Sequence, residues 1–226
     1  MIMKFLKNVF LVPGPVNSYL IERTDHCILV DTGMSKKAKS IIQTRKDNFP
    51  EKPLEAIILT HAHIDHIAGL ETLGLLYGPE VICHKDEKPF IIKSDELPPR
   101  EKFIGRVLGI FEKLMGASGY TIDQIVLDGE VVHGLKIYHL PGHTPGTIAL
   151  EDMETKALFC GDIINSDKKG TKILPPKEMF AINYKQALKS SIKMLQVTEP
   201  SAIFPGHGKP IIEPQDAIKT YLDKYS

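Results

Sequence analysis

The sequence predicts an α/β protein built from stacked layers of strands and helices. Short apolar runs alternate with amphipathic stretches along the chain, which is the pattern that such layers produce. A length of 226 residues allows one compact α/β domain or two small ones. With 42% hydrophobic and 25% charged residues, the composition is typical of a folded, soluble protein and excludes disordered, collagen-like and coiled-coil chains.

Three β-rich runs near the start predict an antiparallel meander. They lie at 9–12, 18–21 and 27–30, separated by Pro, Gly and polar turn residues. Ser35 is the expected cap of a helix that ends near Asn48, ahead of two prolines. The basic residues of this helix predict a solvated face rather than a phosphate site, because they are spread around it and the chain is neutral. They are Lys36, Lys37, Lys39, Arg45 and Lys46.

A second group of elements continues the alternation. A strand at 56–59, a histidine-rich turn, a helix at 65–73 and a strand near Val81 are expected next. Segment 85–120 then becomes charged, proline-rich and finally amphipathic, which predicts an insertion of one or two helices. Its apolar residues either pack on the core or form one wall of a substrate cleft. The remaining predicted elements are strands at 125–127, 135–140, 147–150, 157–160 and 202–204, and helices at 184–196 and 215–225.

Charge and cysteine usage narrow the expected partners and compartment. The chain has 28 basic and 28 acidic residues, so it has no net positive charge that would attract nucleic acid or an anionic membrane. The three cysteines are widely separated and form no C-x-x-C pair, which favours a reducing environment. No segment has the apolar centre of a signal peptide or the ~18 uninterrupted apolar residues of a membrane span. We therefore expect a cytoplasmic protein with a small-molecule substrate, with the oligomeric state open and a homodimer among the options.

Four apolar strands end in potential metal ligands. These ends read IILTHAHIDH at 57–66, IYHLPGH at 137–143, LFCGD at 158–162 and IFPGH at 203–207. Loops that leave strands at a common sheet edge come together, so these ligands are expected to converge. The candidates are His61, His63, Asp65, His66, His143, Asp162 and His207. Neutral imidazole and carboxylate groups suit zinc or a similar cation.

The number of candidates predicts two adjacent ions, because one tetrahedral ion cannot use them all. His61 and His63 lie two apart in an extended turn and can share one ion, while Asp65 and His66 can face a second. Asp162 could bridge the ions, with a hydroxide in the remaining bridging position.

These motifs resemble those of the metallo-β-lactamase-fold hydrolases. THAHIDH at 60–66, PGHTPG at 141–146, GD at 161–162 and PGHG at 205–208 carry the likeness. The resemblance implies an αββα sandwich of two mixed β-sheets flanked by helices, formed by a single domain over residues 1–226. It also implies two zinc ions per chain, with iron or manganese as alternatives.

The resemblance also gives each ligand a role. The first ion would be held by His61, His63 and His143, the second by Asp65, His66 and His207, and both by Asp162. Asp31, in the sequence VDTG, would hydrogen-bond a ligating histidine from outside the coordination sphere and fix its tautomer.

The implied activity is hydrolysis of a small thioester, ester or lactone through a metal-bridging hydroxide. Metal binding can lower the pKa of water from ~15.7 to about 7, so no side-chain nucleophile is needed. Asp65 would orient the water and shuttle a proton, which makes it the expected catalytic residue. The motif context is most similar to glyoxalase II-like thioesterases. Glyoxalase II proper adds a helical domain that helps to bind glutathione, whereas only residues 208–226 follow the last ligand here, so a lactone or another ester is also expected.

A persulfide dioxygenase of the same fold is the alternative function. Such enzymes use one iron, held by residues that correspond to His61, His143 and Asp162, and iron content or oxygen consumption would discriminate the two. A nuclease is disfavoured by the neutral charge. Cys160 precedes Asp162 by two residues and is expected to be a small buried side chain.

Overall fold

The computed structural model describes residues 3–115 and 119–226 of the chain. Its described strands form a seven-stranded sheet, a six-stranded sheet and a two-stranded ribbon. The contacts divide the chain into two compact units. The first lies within Met1–Glu96 and Ala117–Val126, and the second within Leu97–Gly116 and Leu127–Ser226.

The first unit contains the seven-stranded sheet. In their order across the sheet, its strands are β1 (Met3–Leu6), β2 (Val9–Val12), β3 (Ser18–Glu22), β4 (Cys27–Val30), β5 (Leu54–Ile58), β6 (Glu80–His84) and β7 (Gln124–Val126). Strands β1 to β4 are antiparallel, which confirms the predicted meander, and β4 to β7 are parallel. The helices are α1 (Ala38–Asn48), α2 (Ile64–Ile67), α3 (Leu70–Tyr77) and α4 (Lys88–Ile91).

The start of the first helix differs from the sequence prediction in two ways. A turn of 3₁₀-helix, Ser35–Lys37, precedes α1, and no side chain caps either helix, so the prediction of Ser35 as the cap was wrong. Lys37 is only 8% exposed and donates a hydrogen bond to the carbonyl of Val16. Because burial disfavours the charged amine, the pKa of Lys37 is lowered to about 8. The basic cluster is therefore not a uniformly solvated face.

The helix predicted at 65–73 is two short helices, α2 and α3. The N–H of Gly69 donates to the carbonyl of Gly33 at 3.1 Å and to the hydroxyl of Thr32 at 3.1 Å. These tertiary bonds replace the helical bond to the carbonyl of Asp65. A Cβ at Gly69 would lie 2.8 Å from the Thr32 carbonyl oxygen, so this close approach requires glycine.

The second unit contains the six-stranded sheet and the ribbon. In their order across the sheet, its strands are β15 (Ile211–Ile212), β14 (Ala202–Pro205), β11 (Ala157–Gly161), β10 (Ile148–Asp152), β9 (Leu135–His139) and β8 (Val131–Val132). Strands β11 and β14 are parallel and the other pairs are antiparallel, so this sheet is also mixed. The ribbon is β12 (Asn165–Ser166) with β13 (Ile173–Leu174), and the helices are α5 (Phe103–Met115), α6 (Tyr184–Val197) and α7 (Gln215–Tyr225).

The core of the second unit explains why its strands and helices form where they do. Every residue of β10 and β11 is buried, as expected for strands in the middle of a sheet. Buried residues of α6, including Ala187 and Met194, share a cluster with Leu158 and Cys160 of β11. The side chain of Asn183 caps α6 by accepting the N–H of Gln186 at 3.0 Å.

The described residues of segment 85–120 form two helices, α4 and α5, which belong to different units. In the part of α5 whose side chains are described, Phe103 is 77%, Ile104 62% and Ile110 60% exposed. The interpretation that the apolar residues of this segment pack on the core is therefore wrong for these three. No helix of the described chain has the length and apolar character that crossing a membrane would require.

Candidate functional site

Each unit holds one cluster of predicted metal ligands, in loops that follow its strands. In the first unit, β4, β5 and β6 are parallel neighbours, so the loops that follow them leave the sheet at the same edge. We call its ligands the histidine cluster, which consists of His61, His63, Asp65 and His66. The second unit contributes His143, Asp162 and His207, which we call the aspartate cluster.

The members of the histidine cluster lie close together. The ligand atoms of His61 lie within 4.8 Å of those of both His63 and His66, and those of Asp65 lie within 4.8 Å of those of His66. The ring centroids of His61 and His66 are 4.0 Å apart, and those of His61 and His63 are 4.8 Å apart. All three histidines are buried, whereas Asp65 is half-buried at the start of α2.

Asp31 organises this cluster through three hydrogen bonds. One carboxylate oxygen, Oδ1, accepts the N–H of Thr60 at 2.8 Å. The other, Oδ2, contacts the Thr60 hydroxyl and Nδ1 of His66, both at 2.7 Å. Asp31 has a φ of 55°, a left-handed conformation that aspartate tolerates better than most residues. With its Nδ1–H bound to Asp31, neutral His66 presents Nε2 as its metal-binding atom.

Glu87 contacts the backbone between two members of this cluster, and the sequence interpretation missed it. Its side chain is fully buried, and Oε2 accepts the N–H of Ala62 at 2.7 Å. Ala62 lies between His61 and His63, so the carboxylate contacts the backbone that carries two predicted ligands. The sequence HKDE at 84–87, at the end of a strand beside the motif strand, was the one available signal.

Asp162 and His207 of the aspartate cluster follow neighbouring parallel strands, β11 and β14. Oδ2 of Asp162 lies 3.2 Å from Nε2 of His207 and 3.7 Å from Nε2 of His143. Asp162 and His143 are buried, and the side chain of His207 is 20% exposed. One carboxylate oxygen therefore lies beside both histidines.

The loop that carries His143 is fixed against the start of α6. The carbonyl of His143 accepts the N–H of Ile182 at 3.0 Å, and the carbonyl of Gly142 accepts the N–H of Asn183 at 2.8 Å. Gly142 has a φ of 131°, and a Cβ there would lie 2.1 Å from the backbone nitrogen of Ala187. Only glycine allows this contact, so Gly142 determines how closely His143 approaches the sheet edge.

The loop that carries His207 is held by the ribbon strand β12. Ser166 donates its N–H to the carbonyl of His207 at 3.1 Å and its hydroxyl to the carbonyl of Lys209 at 2.5 Å. A Cβ on Gly208, which has a φ of 96°, would lie 2.2 Å from the carbonyl oxygen of Ser166. The ribbon thus fixes the backbone on both sides of Gly208.

The three cysteines are buried free thiols, which confirms the burial predicted for Cys160. Cys160 is fully buried in the core cluster of the second unit. Burial and the nearby negative charge of Asp162 raise the pKa of its thiol well above the ordinary value, so the group stays neutral. Cys160 is therefore a core side chain, and not a nucleophile.

The two clusters have the chemistry of divalent metal sites. Neutral imidazole and carboxylate are good ligands for zinc and similar ions, and clusters of buried groups of both kinds are typical of metal sites. The bond from His66 to Asp31 adds the outer carboxylate that usually orients a metal-bound histidine. The described residues of each cluster therefore fit a metal.

Comparison with known proteins identifies the family. The model of the metallo-beta-lactamase superfamily matches residues 11–207, which include all seven predicted ligands. The chain belongs to the metallo-β-lactamase superfamily. This membership confirms the family that the motifs indicated and supports a metal-dependent hydrolase.

Individual proteins of known name are similar over most of the chain. Hydroxyacylglutathione hydrolase GloC of Haemophilus influenzae is 28% identical over 162 residues, which cover 69% of this chain and 69% of GloC. The crystal structure of TTHA1623 in a di-iron-bound form has a TM-score of 0.69 at 22% identity and covers 91% of this chain and 94% of that one. BJP-1, a subclass B3 metallo-beta-lactamase of Bradyrhizobium japonicum, has a TM-score of 0.71 at 19% identity. The match covers 99% of this chain and 90% of BJP-1. The metallo-β-lactamase fold predicted from the motifs is thus confirmed.

Proposed function

We propose that the histidine and aspartate clusters together form one binuclear metal centre, which hydrolyses a small thioester, ester or lactone. The observation that carries this proposal is the position of Asp162. Its Oδ2 lies 3.2 Å from Nε2 of His207 and 3.7 Å from Nε2 of His143. The family pattern gives these two histidines to different ions, so an oxygen beside both is well placed to bridge them.

The residues of the chain have distinct tasks in this proposal. His61, His63 and His143 would hold the first ion, Asp65, His66 and His207 would hold the second, and Asp162 would serve both. When bound, the two ions supply a nucleophile from water at neutral pH and stabilise negative charge on the carbonyl oxygen of the substrate. Asp65 is half-buried, so its carboxylate can orient the attacking water and carry the proton away.

A small acyl substrate is favoured over a polymer. The chain has equal numbers of basic and acidic residues, so long-range attraction to nucleic acid is weak. GloC, a similar protein, is named as a hydroxyacylglutathione hydrolase, which supports thioesters as the first substrates to test. We further propose zinc as the native metal and the cytoplasm as the site of action.

The proposed activity can be tested with a panel of substrates. Zinc-loaded protein is incubated with acyl-glutathione thioesters, other acyl thioesters, lactones and simple esters, and the release of thiol or acid is followed. We expect turnover of at least one acyl class, and loss of that turnover in Asp162→Ala. The matched control is Cys160→Ala. This thiol is buried, lies two residues before Asp162 in the sequence and has no role in the proposed reaction.

Two outcomes would contradict the proposed activity. If zinc-loaded protein cleaves none of the acyl substrates, hydrolysis of this class is wrong. If the iron-loaded protein instead consumes oxygen with a persulfide, the dioxygenase alternative replaces it.

A further inference from the structure

Glu87 is a buried carboxylate that the proposed reaction does not use. It is 0% exposed, and a buried carboxyl group costs free energy unless it is hydrogen-bonded. Its Oε2 accepts the backbone N–H of Ala62 at 2.7 Å. Burial, together with the nearby Glu87, raises the pKa of the Cys83 thiol to about 12.

The fold brings Glu87 to this position through parallel strand pairing. Strand β6 pairs with β5 through Ile58 and Ile82, and the N–H of Leu59 continues the ladder by donating to the Ile82 carbonyl at 2.9 Å. A turn follows β6, in which the N–H of Glu87 donates to the carbonyl of His84 at 3.0 Å. The side chain of Glu87 therefore starts at the edge where the loop that carries His61 begins.

We propose that Glu87 is a positioning residue, which fixes the backbone between His61 and His63 and thereby the directions of the two imidazoles. This inference rests on the proposed metal centre. The N–H of Ala62 belongs to the peptide bond that follows His61, so holding it sets the rotation of the chain between the two ligands. His61 has a further contact at 3.0 Å between its Nδ1 and the Thr60 hydroxyl.

A loop without this bond would hold metal less tightly. A buried backbone N–H requires an acceptor, and the loop would move to find one if Glu87 were shortened. Moving the Ala62 peptide turns both neighbouring side chains away from a common ion. Loss of outer groups that orient metal ligands typically costs 10–100-fold in metal affinity.

The test measures zinc affinity in three variants of the whole chain. Metal is stripped from the protein, and the zinc dissociation constant is determined by competition with a chromophoric chelator. We expect Glu87→Ala to weaken zinc binding about 10–100-fold. Glu87→Gln should stay within a few fold of wild type, because its amide oxygen still accepts the Ala62 N–H. Glu87→Asp should bind more weakly than Glu87→Gln, since its carboxylate is one methylene too short.

A matched control separates positioning from general stability. Asp152 is also fully buried, and its Oδ1 accepts the N–H of Glu154 at 3.0 Å in a turn without predicted ligands. Asp152→Ala and Glu87→Ala should both lower the thermal midpoint of the metal-free protein, but Asp152→Ala should leave the zinc dissociation constant unchanged. If Glu87→Ala does not fold, the test rests on the other two variants. Glu87→Gln should then bind zinc more tightly than Glu87→Asp, and the reverse order would overturn the role of Glu87.

Failure of this inference can be distinguished from failure of the proposed function. Wild-type protein that binds no metal would overturn both. Wild-type protein that binds zinc, with Glu87→Ala equal to it, would overturn the role of Glu87 alone. Glu87→Gln as weak as Glu87→Ala would also overturn it, because a charge rather than a positioning bond would then be responsible.

Discussion

Replacing Asp31 by asparagine should weaken metal binding, although the two side chains have nearly the same size and shape. Asparagine has almost the same volume as aspartate and tolerates the φ of 55° observed here. In the wild type, Oδ1 accepts the Thr60 N–H at 2.8 Å, while Oδ2 contacts Nδ1 of His66 at 2.7 Å. An amide has one acceptor and one donor end, so it cannot serve both groups.

Either orientation of the new amide disturbs the site. If its oxygen stays on the Thr60 N–H, its NH₂ group faces Nδ1 of His66, and the ring must move its proton to Nε2, the proposed metal-binding atom. If the amide is reversed, the NH₂ group meets the Thr60 N–H. The first orientation replaces a hydrogen bond to a charged group by a neutral one, and the second loses a hydrogen bond. The unfolding free energy should therefore fall by up to about 1.5–3 kcal/mol. We expect zinc affinity to fall about 10–100-fold.

The assay is chelator competition on metal-free protein, together with urea unfolding of the same samples. Asp152→Asn is the matched control, because Asp152 is buried and its side chain bonds a backbone N–H in a turn without predicted ligands. It should leave zinc affinity unchanged, because its amide oxygen still accepts that N–H. Zinc binding by Asp31→Asn as tight as that of the wild type would overturn the role given to Asp31.

Three further predictions concern the second cluster, its loop and the buried lysine. Asp162→Ala should lose both metal and activity, whereas Cys160→Ala should keep turnover within a few fold, as metal analysis and kinetics would show. Retention of both ions in the Asp162 variant would contradict its bridging role. Gly142→Ala should lower the unfolding free energy by more than ~2 kcal/mol, because strain at positive φ adds to a 2.1 Å clash. The control is Gly129→Ala, which has a φ of 82° but no atom within 4 Å of the new Cβ and should cost less in urea unfolding. Between pH 8 and 10.5 the folded state releases the proton of Lys37 while the unfolded state keeps it, so the wild type should gain up to about 3 kcal/mol of stability relative to Lys37→Met. A constant difference between these two proteins across that range of pH would show that the amine is not held at a lowered pKa.

Strong local patterns predicted most of the fold. The helices at 184–196 and 215–225 match α6 and α7 because their apolar spacing and flanking residues are local signals. The two-residue strands β8, β12, β13 and β15 were not predicted, since two residues are too few to show the alternation that marks a strand. Strand β1 was also missed.

The candidate ligands could be predicted because they lie in dense motifs at strand ends. Of their supporting groups, Asp31 was expected from the motif resemblance, whereas Glu87 was not, because its contact is distant in sequence. Glu87 bonds the N–H of Ala62, which is 25 residues away, and Lys37 bonds the carbonyl of Val16, which is 21 residues away. No periodicity marks either residue as buried, and both types are usually exposed.

Elemental analysis of the purified, untagged protein would distinguish a binuclear zinc centre from a single iron site. A binuclear centre predicts about two metal ions per chain, with zinc as the main element, and the same measurement on Asp162→Ala should show a clear loss. Near one iron per chain with little zinc would contradict the binuclear hydrolase and favour the dioxygenase. Protein that takes up no metal, even when refolded with zinc, would contradict the metal centre itself.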